Sequence, residues 1–172
     1  MLAPATNHAT LSCMNNTHRP GGRAFALAAT GLLAGAVVHV AAWLAGPHWV
    51  AALGAPPSIV ASAAAGGWAA ALGTLAIAGL LAGLALCCFT VTRRVRGRAT
   101  QRVILALFAV IFLARGLLVL PFMLAGQREW HTPIGHFIVT GQWFAAGSLV
   151  VLAIGMLMVV GLWQSRSSHQ NP

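Results

Sequence analysis

The chain has 172 residues, 59% of them hydrophobic and only 6% charged, and its net charge of +9 comes from ten arginines set against one acid, Glu129. Ordinary soluble domains carry roughly a quarter charged residues, so this chain cannot clothe itself in water and is an integral membrane protein. The same shortage removes carboxylate-based proton or cation coupling and metal hydrolysis, because no apolar run contains an acid.

Residues 1–23 are polar, hold Pro4, Asn15, Asn16, Pro20 and the Gly21-Gly22 pair, and read as a flexible tail. A spanning helix needs about 20 mostly apolar residues, and the runs 24–45, 67–91, 103–125 and 134–163 each predict one. The expected fold is therefore all-α, a bundle of four transmembrane helices with short loops. The first run has the basic flank of a signal peptide (Arg19, Arg23), yet it exceeds the roughly 7–15 apolar residues of a signal core. It also continues through His39 to Trp43 without a polar end, which favours a retained helix.

The connection 46–66 is uncharged and contains Pro47, Pro56 and Pro57. Pro47 stops the first helix, and Trp43 and Trp49 suit the lipid–water interface as anchors. This Pro/Gly-rich outer segment is expected to re-enter or lie over the outer end of the bundle, unless it is a plain apolar linker. Gly31 and Gly35 in the first run, and Gly79 and Gly83 in the second, have the four-residue spacing that lets helices approach closely. Cys13, Cys87 and Cys88 match neither a disulfide framework nor a zinc site; Cys87 and Cys88 read as small apolar filler.

Arg93, Arg94, Arg96, Arg98 and Arg102 lie between the second and third runs, Arg19 and Arg23 precede the first, and Arg166 follows the last. The other two connections hold only Arg128 beside Glu129. The positive-inside rule then places both termini, including the tail 164–172, and the arginine loop in the cytoplasm of the cell's inner (plasma) membrane. That loop also suits anionic lipid headgroups. Nucleic acid is set aside as a partner, because the arginines stand where orientation in the bilayer needs them.

Ionisable and strongly polar groups within spans are functional candidates. With Ala45, Gly126 and Pro133 as outer boundaries, His39 lies roughly 9 Å deep, His136 roughly 5 Å, Gln142 about 14 Å and the Cα of Arg115 about 16 Å. The four side chains are thus expected to form one polar pocket in the outer half. Arg115 has several candidate partners: a carbonyl of Leu117 freed by Pro121, Gln142, a water cavity, a lipid phosphate or an anionic ligand. It can also snorkel toward the interface. His39 and His136 are the one pair whose depths approach those of axial ligands for haem b; covalent attachment is out, since no Cys-x-x-Cys-His occurs. Ser148 has no His or acid at a partner position implied by the sequence and gives no nucleophile.

His39 and Trp43, the outer loop from Gly46-Pro47 to Pro56-Pro57, and Phe112-Leu113-Ala114-Arg115-Gly116 together resemble a family of small bacterial four-helix membrane proteins, the domain of unknown function 3995. The likeness spans most of residues 30–160. Here His39 and Trp43 are four apart rather than three, and Thr132-Pro133-Ile134 stands where the family tends to have an acid and a Tyr. The resemblance implies the architecture and no activity. The sequence thus favours a non-enzymatic membrane component, or a binder of a small molecule or lipid, with no metal and no cofactor. The alternative is a redox or lipid-modifying enzyme using the same pocket.

Overall fold

A computed structural model of the chain describes residues 21–91, 98–120, 124, 129–132, 135–138 and 141–167. The architecture is an all-α bundle. Its elements are α1 (Gly22–Ala45), α2 (Pro47–Ala52), α3 (Pro57–Ala64), α4 (Trp68–Val91), α5 (Arg98–Leu117) and α6 (Gly141–Ser167). Between α5 and α6 lies one antiparallel hairpin of two short strands, β1 (Glu129–Thr132) and β2 (Gly135–Ile138). Four of the helices, α1, α4, α5 and α6, are long and apolar enough to cross a membrane.

The long helices run up and down in a ring. The most extensive packing joins α1 to α4 and α5 to α6; α1 against α6 and α4 against α5 close the ring. Large apolar side chains such as Leu27, Val37 and Leu44 on α1 and Val103 and Val110 on α5 are more than half exposed. In water that girdle would be an aggregation surface, whereas in lipid it costs nothing. Two hydroxyls on the long helices are satisfied locally: those of Thr30 and Thr90 donate to the carbonyls of Ala26 and Leu86 at 3.0 and 2.8 Å.

The core is concentrated toward the end where α1 and α5 begin. There Phe25, Ala28, Ala29 and Leu32 of α1 repeat at helical spacing and meet Leu84, Ala85 and Cys88 of α4. Leu105 and Ala109 of α5 and Ile154 and Met158 of α6 complete the cluster. Small residues allow the close approach: a Cβ on Gly31 would lie 3.0 Å from Ile154, and one on Gly161 would lie 3.0 Å from the Phe25 ring. Cys88 is fully buried in this cluster, in the apolar role expected of it.

The opposite end is covered by a cap built from α2 and α3, which contacts α1, α4 and α6. The segment expected as a re-entrant or surface-lying stretch therefore folds as two short helices, each opened by a proline in its first turn. Ser62 of α3 fixes the entry to α4, its hydroxyl accepting the Ala70 N–H at 3.3 Å. That bond satisfies one of the four N–H groups left open at a helix start.

Several boundaries differ from the apolar runs, and α5 ends at Leu117 rather than at residue 125. The fourth helix begins at Gly141 rather than Ile134, because Glu129–Thr132 pairs with Gly135–Ile138 as a hairpin. Proline at position 133 bars the preceding residue from the helical region, and a short apolar strand cannot be told from helix by apolar count alone. The third helix already begins at Arg98, ahead of the apolar run that starts at Val103, since polar residues extend a helix into the interface without changing the count of apolar ones.

Candidate functional site

At the capped end a partly open cavity indents the bundle. A cavity of about 210 Å³ lies between α1, α4 and the cap, walled by Ala42, Val50, Leu53, Ile59 and Ile77 with Gly54 and Gly73 among the lining residues. Two side chains bring polarity to it, His39 of α1 and Thr74 of α4. The ring of His39 is oriented by its own helix, Nδ1 lying 2.8 Å from the Gly35 carbonyl oxygen. A carbonyl only accepts, so Nδ1 carries the hydrogen, and in the neutral ring Nε2 is an acceptor. The site thus offers one imidazole acceptor and one hydroxyl within apolar walls, the usual make-up of a small-molecule pocket.

Arg115 lies on the other side of the cap. Its Nη1 donates to the hydroxyl of Ser148 on α6 at 3.0 Å, and its guanidinium carbon sits 4.6 Å from the centre of the Phe144 ring. Phe144 and Ser148 are one helical turn apart on α6, so a single face of that helix presents ring and hydroxyl together. Ser148 is 1% exposed, which makes this bond the satisfaction of a buried hydroxyl as well as of the cation. Gly116 sets the distance: a Cβ there would lie 2.6 Å from Cβ of Leu152, so α5 and α6 touch backbone to backbone next to Arg115. Gly54, at the tip between α2 and α3 with φ of 81°, comes close to both Arg115 and Phe144; a Cβ on it would lie 3.9 Å from Nη2.

Gly54 therefore stands between two separate features, the cavity with His39 and the cluster of Arg115, Ser148 and Phe144. Arg115 is not among the residues lining the cavity that His39 lines. His136 lies on β2, paired with His131, rather than at the opening of a helix. The side chains of His136 and Gln142 lie outside the described residues, as do Arg93, Arg94 and Arg96 entirely and the side chain of Arg98. Trp43 is half-buried, while Trp49 is exposed on α2 and meets His48 and Trp143 edge to face. Arg102 sits at the far end of the bundle, where its Nη2 reaches the Ser165 carbonyl oxygen at 3.4 Å.

Thr74, Ser148, Phe144 and Gly54 escape notice when residues are chosen by charge alone. One signal was present for two of them, since Phe144 and Ser148 share a helix face at a depth near that of Arg115. Comparison with models of protein families, with curated proteins and with solved structures finds no match to this chain.

Proposed function

We propose that this protein is a non-enzymatic inner-membrane component that binds a small, mainly apolar molecule or lipid group in the cavity beneath its cap, with the cap outside the cytoplasm. The observation that carries the reading is the cavity itself, apolar-walled and lined by His39 and Thr74. Its volume of about 210 Å³ exceeds that of a roughly 150 Å³ apolar cavity able to take benzene and falls short of drug-sized pockets of about 300–1,000 Å³. The fitting ligand is about one ring in size and donates one hydrogen bond to His39 Nε2. A membrane-dissolved compound reaches such a site without crossing water.

The test is native mass spectrometry of the detergent-purified protein against Gly73→Leu. A Cβ on Gly73 meets nothing within 4 Å, and Gly73 lines the cavity, so leucine fills the space without a clash at its first atom. The wild type should retain a bound small molecule and Gly73→Leu should lose it at unchanged thermal stability. Equal retention by both proteins would remove the cavity as the binding site. A Soret band in the purified protein would instead favour haem b and the redox alternative.

A further inference from the structure

Arg115 is a fixed cation inside a helix that is long and apolar enough to span a membrane, and its described partners are a neutral hydroxyl and an aromatic face. The chain's one acid, Glu129, is on β1, and its side chain lies outside the described residues. Among the described residues no ion pair is formed by Arg115.

The membrane level of this cation can be read from the tryptophans of α6. Trp143 and Trp163 are 67% and 70% exposed, and they lie roughly 30 Å apart along the helix. That equals the thickness of the hydrocarbon core, whose two faces such residues mark. Ser148, which holds the guanidinium, is then only about 7 Å inside the capped face. On α5 the spanning segment Ala99–Leu117 is roughly 27 Å long, a little short of the core, and Arg115 lies in its last turn. A short apolar span is met by local thinning that draws headgroups and water toward its end. The headgroup layer thus comes down to Arg115.

We propose that Arg115 is a binding site for a phosphate group, carried by an anionic lipid headgroup or free in solution, at the capped end of the bundle. Ser148 takes one of the five N–H donors and Phe144 supports the guanidinium plane. The planar fork suits the paired oxygens of a phosphate. Gly54 is the cap residue next to Nη2, and a Cβ there would lie 3.9 Å from it. This site is separate from the cavity lined by His39 and stands or falls independently of it.

The protein in neutral detergent is offered equimolar phosphatidylglycerol and phosphatidylcholine and weighed by native mass spectrometry. The wild type should hold one phosphatidylglycerol with at least tenfold preference. Arg115→Gln should abolish that preference, and Arg115→Lys, which keeps the charge and loses the fork, should weaken it at least threefold. A triple change of Arg93, Arg94 and Arg96 to Gln should leave it intact, which separates this lipid from any bound at the arginine loop. Inorganic phosphate at millimolar concentration distinguishes the sources: displacement of the lipid, or an Arg115-dependent rise in melting temperature without lipid, identifies the free anion. Glu129→Gln should behave as wild type. Phosphatidylglycerol retention unchanged in both folded Arg115 variants overturns the proposal, and so does binding gained in Glu129→Gln, which would make Glu129 the counter-charge. If Arg115→Gln does not fold, retention by Arg115→Lys equal to that of the wild type overturns it alone.

Discussion

An arginine at the centre of a spanning helix costs about 2.5–3.5 kcal/mol on insertion scales; Arg115 is in the last turn of α5, nearer the membrane face, and lowers its remaining cost with a hydroxyl and a ring. Removing the guanidinium leaves the Ser148 hydroxyl buried without its donor. Arg115→Ala should therefore destabilise the bundle by about 1–3 kcal/mol and Ser148→Ala by about 1 kcal/mol, read as thermal unfolding in detergent. The double variant should be non-additive by at least about 0.5 kcal/mol; strict additivity would mean that the two side chains act apart. His39 presents a contrast. Its ring bonds a carbonyl that helix geometry already satisfies, so His39→Leu should change stability by less than about 1 kcal/mol while the cavity ligand is lost from the purified protein. A large loss of stability in His39→Leu would assign the ring to packing.

Where two helices meet, glycine position decides what a methyl group does. At Gly116 a Cβ falls 2.6 Å from Leu152 Cβ and 2.9 Å from its backbone nitrogen, so α5 and α6 must separate to admit it. Gly116→Ala should cost about 1–3 kcal/mol. Around Gly83 nothing lies within 4 Å, and Gly83→Ala should be neutral or stabilising by up to about 1 kcal/mol. Equal losses for the two substitutions would contradict the helix order. The Gly31/Gly35 spacing also works differently from a paired-helix motif, since Gly31 faces Ile154 of α6 and Gly35 faces Leu81 of α4. Its two glycines seat α1 between two neighbours.

For the molecule as a whole, the arginine distribution predicts one orientation. Reporter fusions placed after Arg98 and after Trp163 should read cytoplasmic, and one within residues 51–65 should read external. An external signal after Arg98 would invert the arrangement and move the cavity and Arg115 to the cytoplasmic face. The uneven distribution of packing matters as much. The buried apolar cluster lies toward the end where α1 and α5 begin, and the cavity lies at the capped end, where the proposed ligand would enter without disturbing that cluster.

Apolar run length, charge content and the four-helix architecture were legible in the sequence, because the bilayer imposes them on every spanning helix separately. Arg115, too, was found by the same rule, as the one permanent charge inside a run. The neighbours of each helix were not legible. An all-round apolar helix has no preferred face toward its partners, as α4 illustrates with large exposed and buried side chains interleaved along its length. The second strand, Gly135–Ile138, was hidden for a related reason, since it falls within the fourth apolar run. Only the tertiary structure decided that His39 shares a cavity with Thr74, that Arg115 is held by Ser148 and Phe144, and that Gly54 stands between them. Those contacts depend on helix rotation and on the close approach at Gly116 and Gly31, where the fit of small side chains against neighbouring helices fixes the geometry.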